Sequence, residues 1–155
     1  MGSGLDIEKE NGKIKEMRKE IRMINELTKG ESLSFLELVY LAINVDDLVF
    51  EKEEKAFEGY IERLGINNSM EDFSDVSLEE TLKNIKTYET RKKKIIFMEV
   101  LGVLFSDDIY DDVEKEFAKK VGEELSFTEE EVLRMEQVVL EYFVAYKTMI
   151  NEVNK

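Results

Sequence analysis

The chain contains no cysteine, no histidine and no proline among its 155 residues. Without cysteine there are no disulfides, thiolate nucleophiles or zinc–sulfur sites. Without histidine, imidazole metal sites, the Ser-His-Asp arrangement and ordinary histidine acid–base chemistry are excluded. The chemistry left is carboxylate, lysine, arginine, tyrosine and hydroxyl, and carboxylates alone suit hard cations such as calcium, magnesium or manganese. An average chain of this length would carry about eight prolines. With none, with only eight glycines, and with abundant Glu, Lys, Leu and Ile, the chain reads as all-α. No Gly-x-Gly-x-x-Gly or Gly-Lys-Ser/Thr run offers a phosphate cradle.

Positive charge is also scarce. Lys and Arg number 22 against 36 Asp and Glu, a net charge of −14 with a pI near 4.6. Such a surface repels nucleic-acid phosphate and anionic membranes and attracts cations or basic protein surfaces. No apolar run reaches the roughly 18 residues of a membrane span. The start lacks a basic segment followed by an apolar one, so the protein is expected to be cytoplasmic. Met1 to Gly4 has the composition of an expression-vector remnant and carries no weight. Apolar content of 43% and the overall length suit a single folded domain.

What is present is an internal echo. Asp46-Asp47-Leu48-Val49-Phe50-Glu51-Lys52-Glu53 recurs 61 residues later as Asp107-Asp108-Ile109-Tyr110-Asp111-Asp112-Val113-Glu114. Each copy has an aspartate pair, two apolar residues, and a glutamate seven positions after the first aspartate. Each follows an apolar stretch, Phe35 to Val45 or Ile95 to Phe105, and precedes an amphipathic one. At the same offset Phe35 pairs with Ile96, Val39 with Val100, Ala42 with Val103, Tyr60 with Val121 and Leu64 with Leu125. A repeat of this length implies a duplicated supersecondary unit: buried helix, acidic turn, amphipathic helix.

The periodicity predicts a polar helix over residues 6–29 with an apolar seam at Ile14, Met17, Ile21, Ile24 and Leu27 or Thr28. That seam either docks on the body or pairs with another chain. Gly30 sits where a helix stop belongs, and Ser34 with Glu37 forms a capping pair for the next helix. Glu51 to Leu64 turns Ala56, Phe57, Tyr60, Ile61 and Leu64 inward and stops at Gly65. Residues 67–75 read as a polar loop, and Ser77 with Glu80 opens a helix burying Leu78, Leu82, Ile85 and Tyr88. Arg91 to Lys94 is the one basic cluster, expected as a solvated helix start or a counter-charge to the acidic turns. Thr128 with Glu131 caps a long last helix with Val132, Met135, Val139, Tyr142 or Phe143, Tyr146, Ile150 and Val153 on one face. Tyr142, Phe143 and Tyr146 belong to a core or an interface. No stretch alternates with period two for long enough to be a strand.

An apolar helix, an Asp-led turn, a Glu seven residues on, and a helix ending near Leu-Gly resembles the tellurite-resistance TerB-like family. Its repeats read Ala-x-x-x-Asp-Gly-x-x-x-x-x-Glu. Ala42 to Asp47 through Glu53 and on to Leu64-Gly65 is similar to the first repeat. Ser106-Asp107-Asp108 through Glu114, followed by Leu125 to Glu131, is similar to the second. The resemblance spans residues 33–140. It implies two pseudo-symmetric helical hairpins packed as a compact bundle, near 34–65 and 95–126, within a domain over 31–155. An extra N-terminal helix lies in 1–30, and a long C-terminal helix completes the fold. It also implies acids gathered where the halves meet, divalent-cation binding in some members, and roles in stress response, envelope association and phage-related defence as a binding module. Asp47 and Asp108 depart from it, standing where the family has glycine.

The site candidates are therefore Asp46, Asp47, Glu53, Asp107, Asp108, Asp111 and Glu114 as ligands of a divalent cation. Carboxylates directly after a buried helix face its unsatisfied carbonyls and need a cation, a lysine or the next helix's N-terminus to offset them. Those carbonyls and carboxylates together are the oxygen ligands calcium takes. A structural reading stands beside this one: acids in a first turn favour the helix dipole, and Asp111 with Glu114 is itself a capping pair. The expected function is a non-enzymatic acidic module with no organic cofactor, recruiting a protein with a basic surface. A homodimer through the N-terminal or C-terminal helix is a further expectation. The alternative is an inhibitor that mimics nucleic acid, such as a phage-encoded anti-defence protein.

Overall fold

The computed structural model describes residues 23–45, 51–105 and 110–155. Among the described residues the chain forms six α-helices, two short 3-10 turns and no strand. The helices are α1 (Lys29–Ile43), α2 (Glu51–Arg63), α3 (Leu78–Lys86), α4 (Thr90–Phe105), α5 (Asp112–Glu124) and α6 (Glu129–Val153), with the 3-10 turns at Met23–Glu26 and Met70–Phe73.

The two most apolar stretches form the centre. Helix α1 packs on α2, α3 and α4, while α4 packs on α1, α5, α6 and the first 3-10 turn. A helix with neighbours on several sides must be apolar round most of its circumference. Accordingly Phe35, Leu36, Leu38 and Val39 of α1 and Ile96, Phe97, Val100 and Leu101 of α4 are all buried. The outer helices carry one apolar face each: Phe57 on α2, Leu82 and Ile85 on α3, and Phe117, Ala118 and Val121 on α5.

Local capping sets where the helices begin. Thr28, not Ser34, starts α1: its hydroxyl accepts from the Glu31 N–H at 3.2 Å, and Glu31 accepts from the Thr28 N–H at 2.8 Å. The chain therefore turns at Leu27–Thr28, and Gly30 lies in the first turn of α1 rather than at the stop of an earlier helix. Ser34 is buried inside α1, with its hydroxyl 2.8 Å from that of Tyr88. Both candidate pairs satisfy the capping spacing, but Lys92 adds to Glu31 an ion pair at 2.9 Å that Glu37 lacks. Ser77 and Thr128 cap α3 and α6 as expected. The polar stretch 67–75 contains the second 3-10 turn and buries Phe73 against Phe57.

Helices α2 and α5 end alike. Gly65 (φ +66°) and Ser126 (φ +69°) both take the left-handed conformation. Gly65 N–H bonds to Glu62 O and Ile66 N–H to Ile61 O; Ser126 N–H bonds to Glu123 O and Phe127 N–H to Gly122 O. Each is the paired closure that satisfies a helix's last carbonyls, and each turns an apolar residue, Ile66 or Phe127, into the core. Lys93 reinforces the second end by donating to Leu125 O at 3.1 Å.

The basic cluster is a structural clamp. Arg91 pairs with Glu26 at 2.8 Å, and Lys92 reaches Glu26 O and the Glu31 carboxylate. Its counter-charges among the described residues are thus Glu26 of the first 3-10 turn and Glu31 in the first turn of α1, while most of both acidic turns lies outside the described residues. Ile24 of that 3-10 turn is completely buried. Helix α6, about 37 Å long, rests on the body through Val132, Met135 and Val139. Beyond them Tyr142, Tyr146, Met149, Ile150 and Val153 are exposed, so the expected inward face lies on the surface over the last three turns.

Candidate functional site

The predicted cation ligands fall into two groups. Asp46, Asp47, Asp107 and Asp108 lie outside the described residues. Of the rest, Asp111 and Glu114 are brought together as the cap of α5: Glu114 N–H donates to Asp111 Oδ1 at 2.8 Å and Asp111 N–H to Glu114 Oε1 at 3.3 Å. Two oxygens that a cation would use already satisfy backbone donors. Glu53 stands on the first turn of α2, half-buried, and lines a groove described below. Among the described residues no three acids converge closely enough to hold a metal ion.

Near the second turn, Tyr110 packs edge-on against Phe105 with ring centroids 4.4 Å apart. Its buried hydroxyl faces Glu136 short of good hydrogen-bond geometry, and burial together with that carboxylate pushes the phenol pKa upward. Burial also raises the pKa of Glu136, and Tyr110 and Lys115 offset this only in part. Glu37, sunk between α1 and α3, is raised by burial as well, although Thr81 donates to it at 3.4 Å. Glu31 moves the opposite way: burial would raise it, but the Thr28 N–H and Lys92 together hold it below the ordinary carboxylate value.

Among the described residues lies an open groove of about 960 Å³. Its floor is α1 and α4, with Val39, Ile95 and Met98; α2 walls one side with Ala56 and Tyr60, and α6 the other with Val138 and Tyr142. The groove follows from the packing scheme. Helices α2 and α6 sit on α1 and α4, respectively, and leave a channel between them above the central pair. Its lining is mostly apolar, with a few polar groups: Tyr60 donates to Glu99 Oε2 at 3.1 Å, and Arg63 lies 5.7 Å from the centre of the Tyr60 ring.

Two glycines open the groove. Gly59 and Gly102 stand inside helices α2 and α4, where glycine costs roughly 1 kcal/mol against alanine. Nothing among the described residues requires them. A Cβ on Gly59 would meet no atom within 4 Å, and one on Gly102 only the Phe143 ring at 4.0 Å. Gly122 is the contrast, because a Cβ there would lie 2.5 Å from Val132 Cγ2, so the α5–α6 contact demands glycine. Sequence reasoning passed over Gly59 and Gly102. The available signal was glycine within strongly helical stretches, which implies a close approach by something else.

No helix among the described residues is long and apolar enough to cross a membrane. No family model, curated protein or solved structure matches the chain.

Proposed function

We propose that this protein is a non-enzymatic binding module whose groove receives an amphipathic helix bearing apolar anchors and basic flanks. The carrying observation is the groove, an apolar channel with glycines on two of its helices and nothing among the described residues that needs them. A helix about 10 Å across, rising 1.5 Å per residue, fills such a volume with about eight residues, or two turns. Helix-in-groove recognition uses anchors at i, i+3/i+4 and i+7, matching a channel with parallel helical walls. The basic flanks suit the chain's −14 net charge. A displayed library of amphipathic helices selected against the full chain tests this reading. The expected binders carry that anchor spacing and lose about tenfold or more affinity with Gly102→Leu, which fills the channel. Binders indifferent to Gly102→Leu, or none at all, would remove the groove as the site.

A second reading rests on the internal echo. Helices α1 and α4 begin 61 residues apart, as do α2 and α5, and their closures at Gly65 and Ser126 share that offset. This recurrence supports a duplicated unit of TerB-like kind, with Asp46-Asp47 and Asp107-Asp108 at equivalent places in the chain. There a calcium, magnesium or manganese ion would bridge aspartates that otherwise repel, stabilising the fold in proportion to free cation. Thermal melts in EDTA and with each cation test it, on wild type and on Asp46→Asn/Asp107→Asn. A cation-specific rise of several degrees that the double variant loses is expected. A rise unaffected by the variant would place the ion elsewhere.

A further inference from the structure

Helix α6 outruns the body it rests on. Val138, Tyr142, Ala145, Met149 and Val153 recur every three or four residues and share one face. Val138 and Tyr142 line the groove. Met149 and Val153, 65% and 82% exposed, carry the same face beyond it, flanked by the exposed Tyr146 and Ile150. One helix thus supplies a groove wall and, further along, an apolar stripe that nothing among the described residues covers.

The two parts fit each other in a second copy. An antiparallel pairing of two α6 helices about a two-fold axis near Val144 sets Tyr142 level with Tyr146 of the other copy. It also sets Val138 level with Met149 and Ile150. Residues 146–153 of each copy then run along the groove of the other, and those eight residues are the two turns the groove holds. Such a contact is self-complementary and closes at two copies.

Charge and area favour this occupant. At −14, two copies repel over most of their surface. Residues 138–153 carry only Glu141, Glu152 and Lys147, so the end of α6 is nearly neutral. The groove lining is mixed, Glu53 and Glu99 with Arg63, Arg91 and Lys94, and meets a neutral helix without net repulsion. Gly59 and Gly102 leave room for its backbone. Two stripes and two grooves together bury on the order of 1,200 Å², the lower bound for a specific, stable pair.

We infer that the chain forms a two-fold dimer in which the end of each α6 fills the groove of the other copy. The seating names a resident helix for the groove; its consequence for partners rests on the helix-binding reading above. An external helix binds only the fraction of grooves that the pair leaves open.

Sedimentation equilibrium of the full chain from micromolar to submillimolar tests the dimer. Ala56→Arg on the groove wall and Tyr146→Lys/Met149→Lys on the stripe alter exposed side chains, which leaves the core intact. Each is expected to weaken the wild-type dimer about tenfold or more. Because the chain has no cysteine, single replacements report the register. Val138→Cys and Met149→Cys each lie about 15 Å or more from their own mate along the axis, but beside one another across the pair. A mixture of the two should therefore form a disulfide-linked dimer that neither forms alone. A wild type that stays monomeric would overturn the inference. So would a dimer that the stripe variant weakens and Ala56→Arg does not, or Met149→Cys linking to itself as readily as to Val138→Cys, since the stripes would then pair outside the groove. Selected helices that bind a monomeric wild type would sink this inference and leave the groove reading standing. A dimer lost in Ala56→Arg, with no helix selected even by the stripe variant, would do the reverse.

Discussion

Single residues in this chain decide how helices end and which carboxylates ionise. Gly65 and Ser126 occupy the same left-handed position in two like closures, but only glycine does so without a Cβ penalty. Ser126→Gly is expected to stabilise the fold by about 1 kcal/mol, read as a higher urea midpoint with an unchanged slope. An unchanged midpoint would mean that the serine's conformation costs nothing here. Glu136 gives a pH signature. Its pKa is raised by burial, so the folded state penalises the charged form fully above the folded pKa. That cost fades as pH falls toward the ordinary value of 4.5. Glu136→Gln should therefore melt higher than wild type at pH 7, and the gap should narrow on acidification. A gap that widened would show that the glutamate is stabilised as an anion. Glu31 and Glu131 act in the opposite sense, since their lowered pKa values give stability at neutral pH that is lost in acid.

At the scale of the element, capping and burial divide the work. The spacing of Thr128 with Glu131, and of Asp111 with Glu114, was legible because a cap joins residues three apart and needs nothing distant. The start of α1 was not, because Thr28/Glu31 and Ser34/Glu37 satisfy the same local rule. Lys92, 61 residues away in sequence from Glu31, adds its ion pair to the first of them. Thr28→Ala is expected to cost about 1 kcal/mol in chemical denaturation. Ser34→Ala should instead act through its contact with Tyr88, so Tyr88→Phe would remove most of its effect. If Ser34→Ala cost as much in the Tyr88→Phe background as in wild type, the buried hydroxyl pair would not explain its role.

For the whole molecule, the exposed end of α6 and the groove matter most. Tyr142 is 64% exposed and Met149 65%, although both continue the stripe that Val132, Met135 and Val139 bury. Tyr142 stacks on Tyr146, with ring centroids 6.5 Å apart, and also forms part of the groove wall. An apolar stripe left over after the body is packed is a surface for association. Tyr146→Lys/Met149→Lys should leave the monomer's melting temperature within about a degree, since both side chains lie outside the core. Sedimentation at rising concentration would show whether the wild type self-associates where this variant does not. A large loss of monomer stability would instead mean that the stripe is covered within the chain.

The sequence by itself determined the helical class, most helix bounds, the inward seam of α3 and the echo at 61 residues, whereas Ala56, expected to face inward on α2, is exposed. Those properties follow from proline's absence, from apolar spacing and from contacts three or four residues apart. Only the tertiary structure decided which apolar face is buried and which is left over. The stripe of α6 reads alike from Val132 to Val153, yet its burial ends at Val139, with Phe143 half-buried beside it against α4. It likewise decided that Arg91 to Lys93 clamp the first 3-10 turn and the end of α5, because their partners are distant in sequence. The groove was equally out of reach. It is the gap between α2 and α6, and a gap is set by how helices pack, not by any residue's own propensity.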